Sequence, residues 1–313
     1  MKTLEIIVFL ALIFALGFGI YVFWQNLPIG SVQYTPYSAN LSSQEITGAG
    51  LNLPEQSRQF YQNMRYRDRN ISYELESVCG LTKWVNVKKA FEMISERTNL
   101  NFYISKENPE IMIYCSELPS EPGQENHFIA GEGGPTEIIN TSLYAVILSG
   151  KISIYKEERC SEPKITLHEI FHALGFDHNN NSNSILYPIT GCNEQIDGYL
   201  IDGLNRLYKT DSNPDIVIEK VTANRTGRYL NFEINITNRG LKDSQNATLH
   251  VYSDSLELGN FTLGGLEIGV KKTLDVQNLR ISGFSNKITF IVKPAEGEGE
   301  ISTGNDRAEL AIA

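Results

Sequence analysis

The chain has 313 residues, 41% hydrophobic and 20% charged, a balance that excludes a disordered chain and leaves room for two domains of ordinary size. Its 37 acidic and 27 basic residues give a net charge of −10. That excess of negative charge argues against a nucleic-acid partner, whose phosphates it would repel.

No residue from Ile6 to Trp24 is charged, and Ile, Leu, Phe, Val and Ala predominate there. The run is close to the ~20 residues a helix needs to cross a bilayer, and longer than the roughly 7–15 apolar residues of a cleaved signal. A transmembrane helix over about residues 5–24 is therefore expected, inside an anchor covering 1–28. Cleavage near Gly17 and Gly19 is the other reading and would give a secreted chain. Lys2 precedes the run, whereas Ile29 to Ser57 holds neither Lys nor Arg. The positive-inside rule then puts the residues beyond Trp24 outside the cytoplasm, on a single-pass membrane protein. Asn-x-Ser/Thr sequons at Asn40, Asn70, Asn140, Asn180, Asn224, Asn235, Asn246 and Asn260 agree with that side, as do four cysteines lying wholly beyond the anchor.

Residues 29–65 are polar, rich in Tyr, Ser and Asn and without sustained periodicity, and read as a stalk. Over 66–212 the pattern changes. Ile71, Tyr73 and Leu75 alternate with polar residues as in a half-buried strand. Thr82 precedes Trp84, Val87, Phe91 and Ile94 at helical spacing and reads as an N-cap. Ile111 to Tyr114 and Ala145 to Tyr155 read as strands, the second interrupted at Ser149-Gly150. One helix starts near Ile165, and another runs from about Ile196 to Tyr208 with Ile196, Leu200, Leu204 and Leu207 on one face. Mixed helices and strands make this an α+β domain. Asn213-Pro214 ends the helical signals. From 213 to 313 short alternating runs follow: Ile216/Ile218, Leu230/Phe232/Ile234/Ile236, Leu249/Val251, Leu274/Val276, Ile288/Phe290/Val292 and Ala308/Leu310. They predict an all-β, immunoglobulin-like sandwich.

Three of the five histidines fall within the eleven residues His168-Glu169-Ile170-Phe171-His172-Ala173-Leu174-Gly175-Phe176-Asp177-His178. His168 and His172 are four apart, so on a helix both rings leave one face and can bind one metal. Leu167, Ile170, Phe171 and Leu174 give that helix a face to bury. His178 lies six residues past His172, roughly 240° round a continuous helix, and could not reach the same ion. Gly175 resolves this, because glycine can take the left-handed conformation that ends a helix and turns the chain back. Three neutral imidazoles with an open fourth position are what a catalytic zinc needs. Glu169, beside the first ligand, is placed to act as general base toward a zinc-activated water.

This eleven-residue text resembles the extended zinc motif of the metzincins, and Ser184-Ile185-Leu186-Tyr187-Pro188 resembles the turn that follows it in the matrixin-like branch. The resemblance covers roughly Arg69 to Tyr208. It implies a zinc-dependent endopeptidase acting on protein or peptide substrates, with His168, His172 and His178 on Zn2+ and Glu169 as the base. Leu186 stands where that family carries a methionine, a swap of similar volume that usually costs below about 1.5 kcal/mol. A cysteine-switch propeptide and a His/Asp-rich loop for structural ions are both lacking. His127 stands alone and reads as a surface or packing residue. The second domain resembles CARDB modules, through Pro214-Asp215-Ile216-Val217-Ile218, Ile236-Thr237-Asn238-Arg239-Gly240 and Gly304-Asn305-Asp306-Arg307-Ala308. That resemblance implies a surface spacer or a contact for a cell-surface partner. His250 is isolated there.

Four cysteines allow three pairings. A Cys160–Cys192 bridge would clamp the metal-binding segment and leave Cys79 with Cys115. Gly131, Gly133 and Gly134 lie ahead of a strand that is a candidate border of the cleft. Two other readings stay open: an adhesion protein that keeps the zinc fold with weak or no catalysis, and a zinc hydrolase acting on cell-wall or small peptides.

Overall fold

The computed structural model describes residues 12–22, 29–35, 58–115, 129–189, 191–281 and 287–311. Residues 12–22 are helical (α1) and exposed. The expected span over 5–24 lies partly outside the described residues, and among those described no helix is long and apolar enough to cross a membrane. At about 1.5 Å per residue the described part of α1 covers roughly 16 Å of the ~30 Å that a bilayer core requires.

The chain divides into two compact units, one of residues 38–214 with 239–242, the other of residues 1–37, 215–238 and 243–313. In the first unit the strands are β2 (Met64–Tyr66), β3 (Asn70–Leu75), β4 (Asn101–Ile104), β5 (Ile111–Tyr114), β6 (Gly131–Asn140) and β7 (Ala145–Ile154). Its helices are α2 (Leu81–Ser95), α3 (Lys164–Ala173) and α4 (Gly198–Leu207). The sheet runs β2-β7-β5-β3-β4 with all pairs parallel, and β6 joins β7 antiparallel.

Helix α2 buries Val87, Ala90, Phe91 and Ile94 against the sheet. Its N-cap is Gly80 rather than Thr82, with no side-chain cap bond. Trp84 is partly exposed because the neighbouring Lys83 takes the inward position, burying its stem and donating from Nζ to the Ile154 carbonyl. The Ser149-Gly150 pair does not interrupt β7. Gly150 is held on one side by Ile111 and on the other by Pro135, and pairing on both edges keeps the chain extended. Strands β2, β4 and β6 had no alternating signature. They are strands because β7 and β3 offer them a ladder, which is tertiary context overriding a weak local preference.

Helix α4 begins at Asp197, whose carboxylate accepts from the Leu200 N–H, and it buries Leu200, Leu204 and Leu207. Two disulfides, Cys79–Cys115 and Cys160–Cys192, close loops of 36 and 32 residues in sequence separation. By loop-closure entropy each contributes about 4 kcal/mol. Replacing both Cys79 and Cys115 by Ser should therefore lower unfolding stability by roughly 2–4 kcal/mol in urea titration; an unchanged midpoint would show that the bridge constrains little.

The second unit is a sandwich of two four-stranded sheets, β1-β12-β9-β8 and β11-β10-β13-β14. These strands are β1 (Ile29–Thr35), β8 (Ile216–Thr226), β9 (Tyr229–Asn238), β10 (Ser244–Ser253), β11 (Leu256–Leu266), β12 (Lys271–Arg280), β13 (Lys287–Lys293) and β14 (Arg307–Ala311). Leu230, Phe232, Ile234 and Ile236 of β9 meet Leu249, Val251, Phe290 and Val292 in its core, as period-two alternation requires. Residues 29–35, expected within the stalk, instead pair along β12 from Ile29↔Gln277 to Thr35↔Lys271. An unpaired edge of β12 is the physical reason: an extended polar segment satisfies its backbone groups there.

Burial of Glu300 pushes its carboxyl up to about 7; the Ile216 N–H it accepts opposes this, while Asp306 and Asp215 add to it. A carboxyl raised on folding adds stability below its unfolded value near 4.5 and loses it as pH rises through about 7. Thermal unfolding of the sandwich should thus fall between pH 5 and 8 more steeply in the wild-type chain than in Glu300→Gln; parallel curves would refute this.

Candidate metal centre

Helix α3 is buried along nearly its whole length, with Leu167, Ile170, Phe171 and Ala173 in the core. His168 and His172 leave the same face. The helix then stops as the sequence predicts. Gly175 has φ +94°, its N–H donates to the His172 carbonyl, and the Phe176 N–H donates to the Phe171 carbonyl. The Phe171 and Phe176 rings meet edge to face at 6.1 Å. This is a Schellman ending with its hydrophobic contact, and it delivers His178 onto the other two rings.

The three Nε2 atoms converge: His168 to His172 is 2.9 Å, His168 to His178 3.1 Å and His172 to His178 3.2 Å. Nδ1 of His168 lies 2.6 Å from the Ile185 carbonyl and Nδ1 of His172 lies 2.8 Å from the Phe176 carbonyl. A carbonyl only accepts, so both Nδ1 atoms carry the proton and both Nε2 atoms present lone pairs. Burial also pushes both imidazoles toward neutrality, His168 to about 3 and His172 to about 4. Burial lowers His178 as well. Facing lone pairs at such distances repel unless a cation lies among them. Tetrahedral zinc at a Zn–N length of about 2.0–2.1 Å requires N···N separations of roughly 3.3 Å. The donor set, its tautomers and its spacing fit that ion. Among the described residues this is the one cluster of three or more metal-binding side chains.

Glu169 is also buried. Its carboxyl is pushed up to about 8, first by burial and then by the charge of Glu132 on β6, which accepts from the Tyr155 hydroxyl. Strand β6 lies against α3 so closely that a Cβ at Gly133 would come within 2.2 Å of the Glu169 carbonyl oxygen, and one at Gly131 within 2.8 Å of Glu169 Cγ. Gly131 and Gly133 therefore lie within β6 itself, beside the acid, rather than ahead of a bordering strand. Gly134 has nothing near it.

The segment after His178 supports the His168 ring through the Ile185 carbonyl. Leu186, fully buried, donates its N–H to the Ser184 hydroxyl, and its carbonyl accepts from the Asn179 N–H. The Ser184 hydroxyl in turn donates to Asp197, tying this turn to the cap of α4. Leu186 reaches no polar partner with its side chain, which is consistent with a packing role that leucine fills as well as methionine. Lys164, at the start of α3, donates from Nζ to the Glu194 carbonyl and to Glu162, next to the Cys160–Cys192 bridge.

Sequence reasoning did not find the carbonyls of Ile185 and Phe176, which orient two imidazoles, because backbone groups leave no residue signature. It also missed Phe60, whose ring lies 5.9 Å from His172. His127 lies outside the described residues. His250 is not isolated: its Nδ1 pairs with Glu257 across β10 and β11.

The family model described as Matrixin matches residues 65–209, and that of CARDB matches residues 213–306. The interstitial collagenase of Oryctolagus cuniculus is 23% identical over 192 residues, which are 57% of this chain and 40% of the collagenase, so the chain spans about two fifths of that relative's length. The 272–376 domain of a cell surface protein from Methanosarcina acetivorans is 21% identical over 32% of this chain and 93% of that one, with a TM-score of 0.29. A hatching enzyme zinc-protease from the medaka Oryzias latipes is 18% identical over 36% of this chain and 46% of that one, with a TM-score of 0.24. The matrixin match implies a zinc cofactor, in keeping with the three convergent imidazoles. Residues 65–209 are a domain of the matrixin family, followed over 213–306 by one of the CARDB family.

Proposed function

We propose that the matrixin domain is a zinc-dependent endopeptidase that cleaves protein or peptide substrates outside the cytoplasm. The observation that carries this reading is the meeting of three Nε2 atoms within 3.2 Å of one another, two of them fixed as lone pairs by carbonyls at Nδ1. In this reading His168, His172 and His178 hold the zinc and leave one coordination position open. Zinc bound there supplies Lewis acidity toward a water and toward the scissile carbonyl.

Glu169 takes a proton from the attacking water on its carboxylate and passes it to the leaving amine as the C–N bond breaks. Its burial disfavours the charged form and brings its proton affinity toward neutrality, where a group that both accepts and returns a proton works best. Gly131 and Gly133 let β6 lie against the acid and limit its motion. The carbonyls of Ile185 and Phe176 hold the two helix imidazoles in orientation.

Two disulfides support an oxidising, extracellular setting, and the uncharged run from Ile6 to Trp24 supports a single membrane tether. The CARDB domain would then present a surface to a cell-surface partner. The test is zinc content by elemental analysis alongside hydrolysis of casein and a peptide library by the purified chain. One zinc per chain, with cleavage abolished by chelation and restored by zinc, is the expected result. A chain that binds no zinc would remove the proposal.

A further inference from the structure

Residues 58–64 immediately precede the matrixin match and were read from sequence as part of a polar stalk. They lie along the loop that carries the third histidine. The Phe60 N–H donates to the Gly175 carbonyl at 3.0 Å, and the Asp177 N–H donates to the Arg58 carbonyl at 2.9 Å. Gln59 and Phe176 form an antiparallel bridge between these two contacts. Arg58 Nε lies 3.5 Å from Asp177 Oδ2, and Asp177 Oδ1 accepts from the His178 N–H. The Phe60 ring lies beside that of His172, with centroids 5.9 Å apart.

The segment is itself held in place. Gln59 donates from Nε2 to the Met64 carbonyl at 2.6 Å and accepts from the Met64 N–H at 3.0 Å, which folds it back onto β2. The Met64 side chain fills the space beneath Gly175, where an added Cβ would lie 2.6 Å from Met64 Cγ.

We propose that residues 58–64 are a positioning strap that presets the Gly175–Asp177 turn, and with it His178, for metal binding. The proposal rests on the zinc reading above. Its logic is a backbone account. The turn between the second and third histidines has three main-chain groups with partners outside the helix's own backbone. The Phe176 carbonyl is used by His172 Nδ1, and the strap takes the Gly175 carbonyl and the Asp177 N–H. With both met, the turn has one arrangement. Without the strap these groups bond to water in many arrangements, and part of the binding energy of His178 goes into ordering the loop. The exposed Arg58–Asp177 pair adds little by itself. The main-chain bridge and the Phe60 ring carry the effect. Residues 58–64 lie wholly outside the 65–209 match, so this support belongs to the chain's own upstream segment.

The experiment uses the full chain and compares wild type with Phe60→Pro, which removes the donor to Gly175, with Phe60→Ala, which removes the ring, and with Gln59→Ala, which frees the strap from Met64. Zinc affinity is read by chelator competition, and ligand geometry by the visible absorption of the cobalt(II) form. Zinc affinity should fall about 10- to 100-fold in Phe60→Pro, the scale seen when outer-shell support of a ligand is lost, and less in the other two. The cobalt bands should shift in the same order, while thermal unfolding of the metal-free variants stays near that of the metal-free wild type. Should Phe60→Pro not fold, the Ala variants decide by the same measures. Wild-type affinity and spectra in the variants would overturn the strap while leaving the metalloprotease reading intact, as would losses that merely track a fall in metal-free stability. A wild-type chain without zinc would instead overturn the reading on which the strap depends.

Discussion

Glu169→Gln should keep one zinc per chain and lose hydrolysis by about 10²- to 10⁴-fold in kcat, the usual contribution of a positioned general base. The substitution preserves the shape of a side chain that is packed against Gly131 on β6, so α3 should not move. The three imidazoles are untouched, and their orienting carbonyls belong to Ile185 and Phe176 rather than to Glu169. What is lost is the ability to accept a proton. An amide cannot accept a proton, whereas the ionised form of the Glu169 carboxyl can. Zinc content and steady-state kinetics on one peptide measure both halves of the expectation. A variant within tenfold of wild type would show that another acid serves as base, and Glu132, whose charge is felt at Glu169, would be the first to replace next.

Gly133→Ala should be as damaging to activity as many ligand changes, although glycine 133 carries no chemistry. The new Cβ would stand 2.2 Å from the Glu169 carbonyl oxygen and 2.9 Å from its carbonyl carbon and Cα. These are backbone atoms in the middle of α3, so no side-chain rotation relieves the overlap. Either β6 leaves the helix or the helix moves, and α3 carries two of the three convergent histidines and the proposed base. Overpacking of this kind costs about 1–3 kcal/mol, and a displacement of about 1 Å at a reacting group can cost on the order of 10²-fold in rate. Gly134→Ala is the matched control, because nothing lies within 4 Å of the position. Urea unfolding and kcat of the two variants give the comparison. Equal behaviour of Gly133→Ala and Gly134→Ala would mean that β6 yields freely and does not constrain the acid.

The legibility of this protein was uneven, and the unevenness has a physical pattern. The convergence of the three histidines could be read because a four-residue spacing on a helix has one geometric meaning, and because a glycine three residues after His172 permits the turn seen at φ +94°. The core strands of the sandwich could be read because period-two burial writes itself into β9, β10 and β13. The two bridges were legible as one of three pairings, and their loops close as the clamp around α3 suggests.

Other features could not be read. Strand β6 is Gly-rich and holds Pro135, so it lacks the composition of a strand and is one only because β7 pairs with it. Strand β1 lies before the matrixin domain in sequence yet completes a sheet of the sandwich. No local rule joins segments more than two hundred residues apart. Residues 58–64 looked like stalk because their work is done by backbone groups and by contacts with Gly175 and Asp177.

The sequence by itself determined which three imidazoles converge and which carboxyl stands beside them, because those depend on spacing along one helix and its end. The tertiary structure alone decided what holds them in place: the close approach of β6, the carbonyls beneath two imidazoles, and the upstream segment against the third. Those supports are made by peptide groups and empty space, and neither has a letter in the sequence.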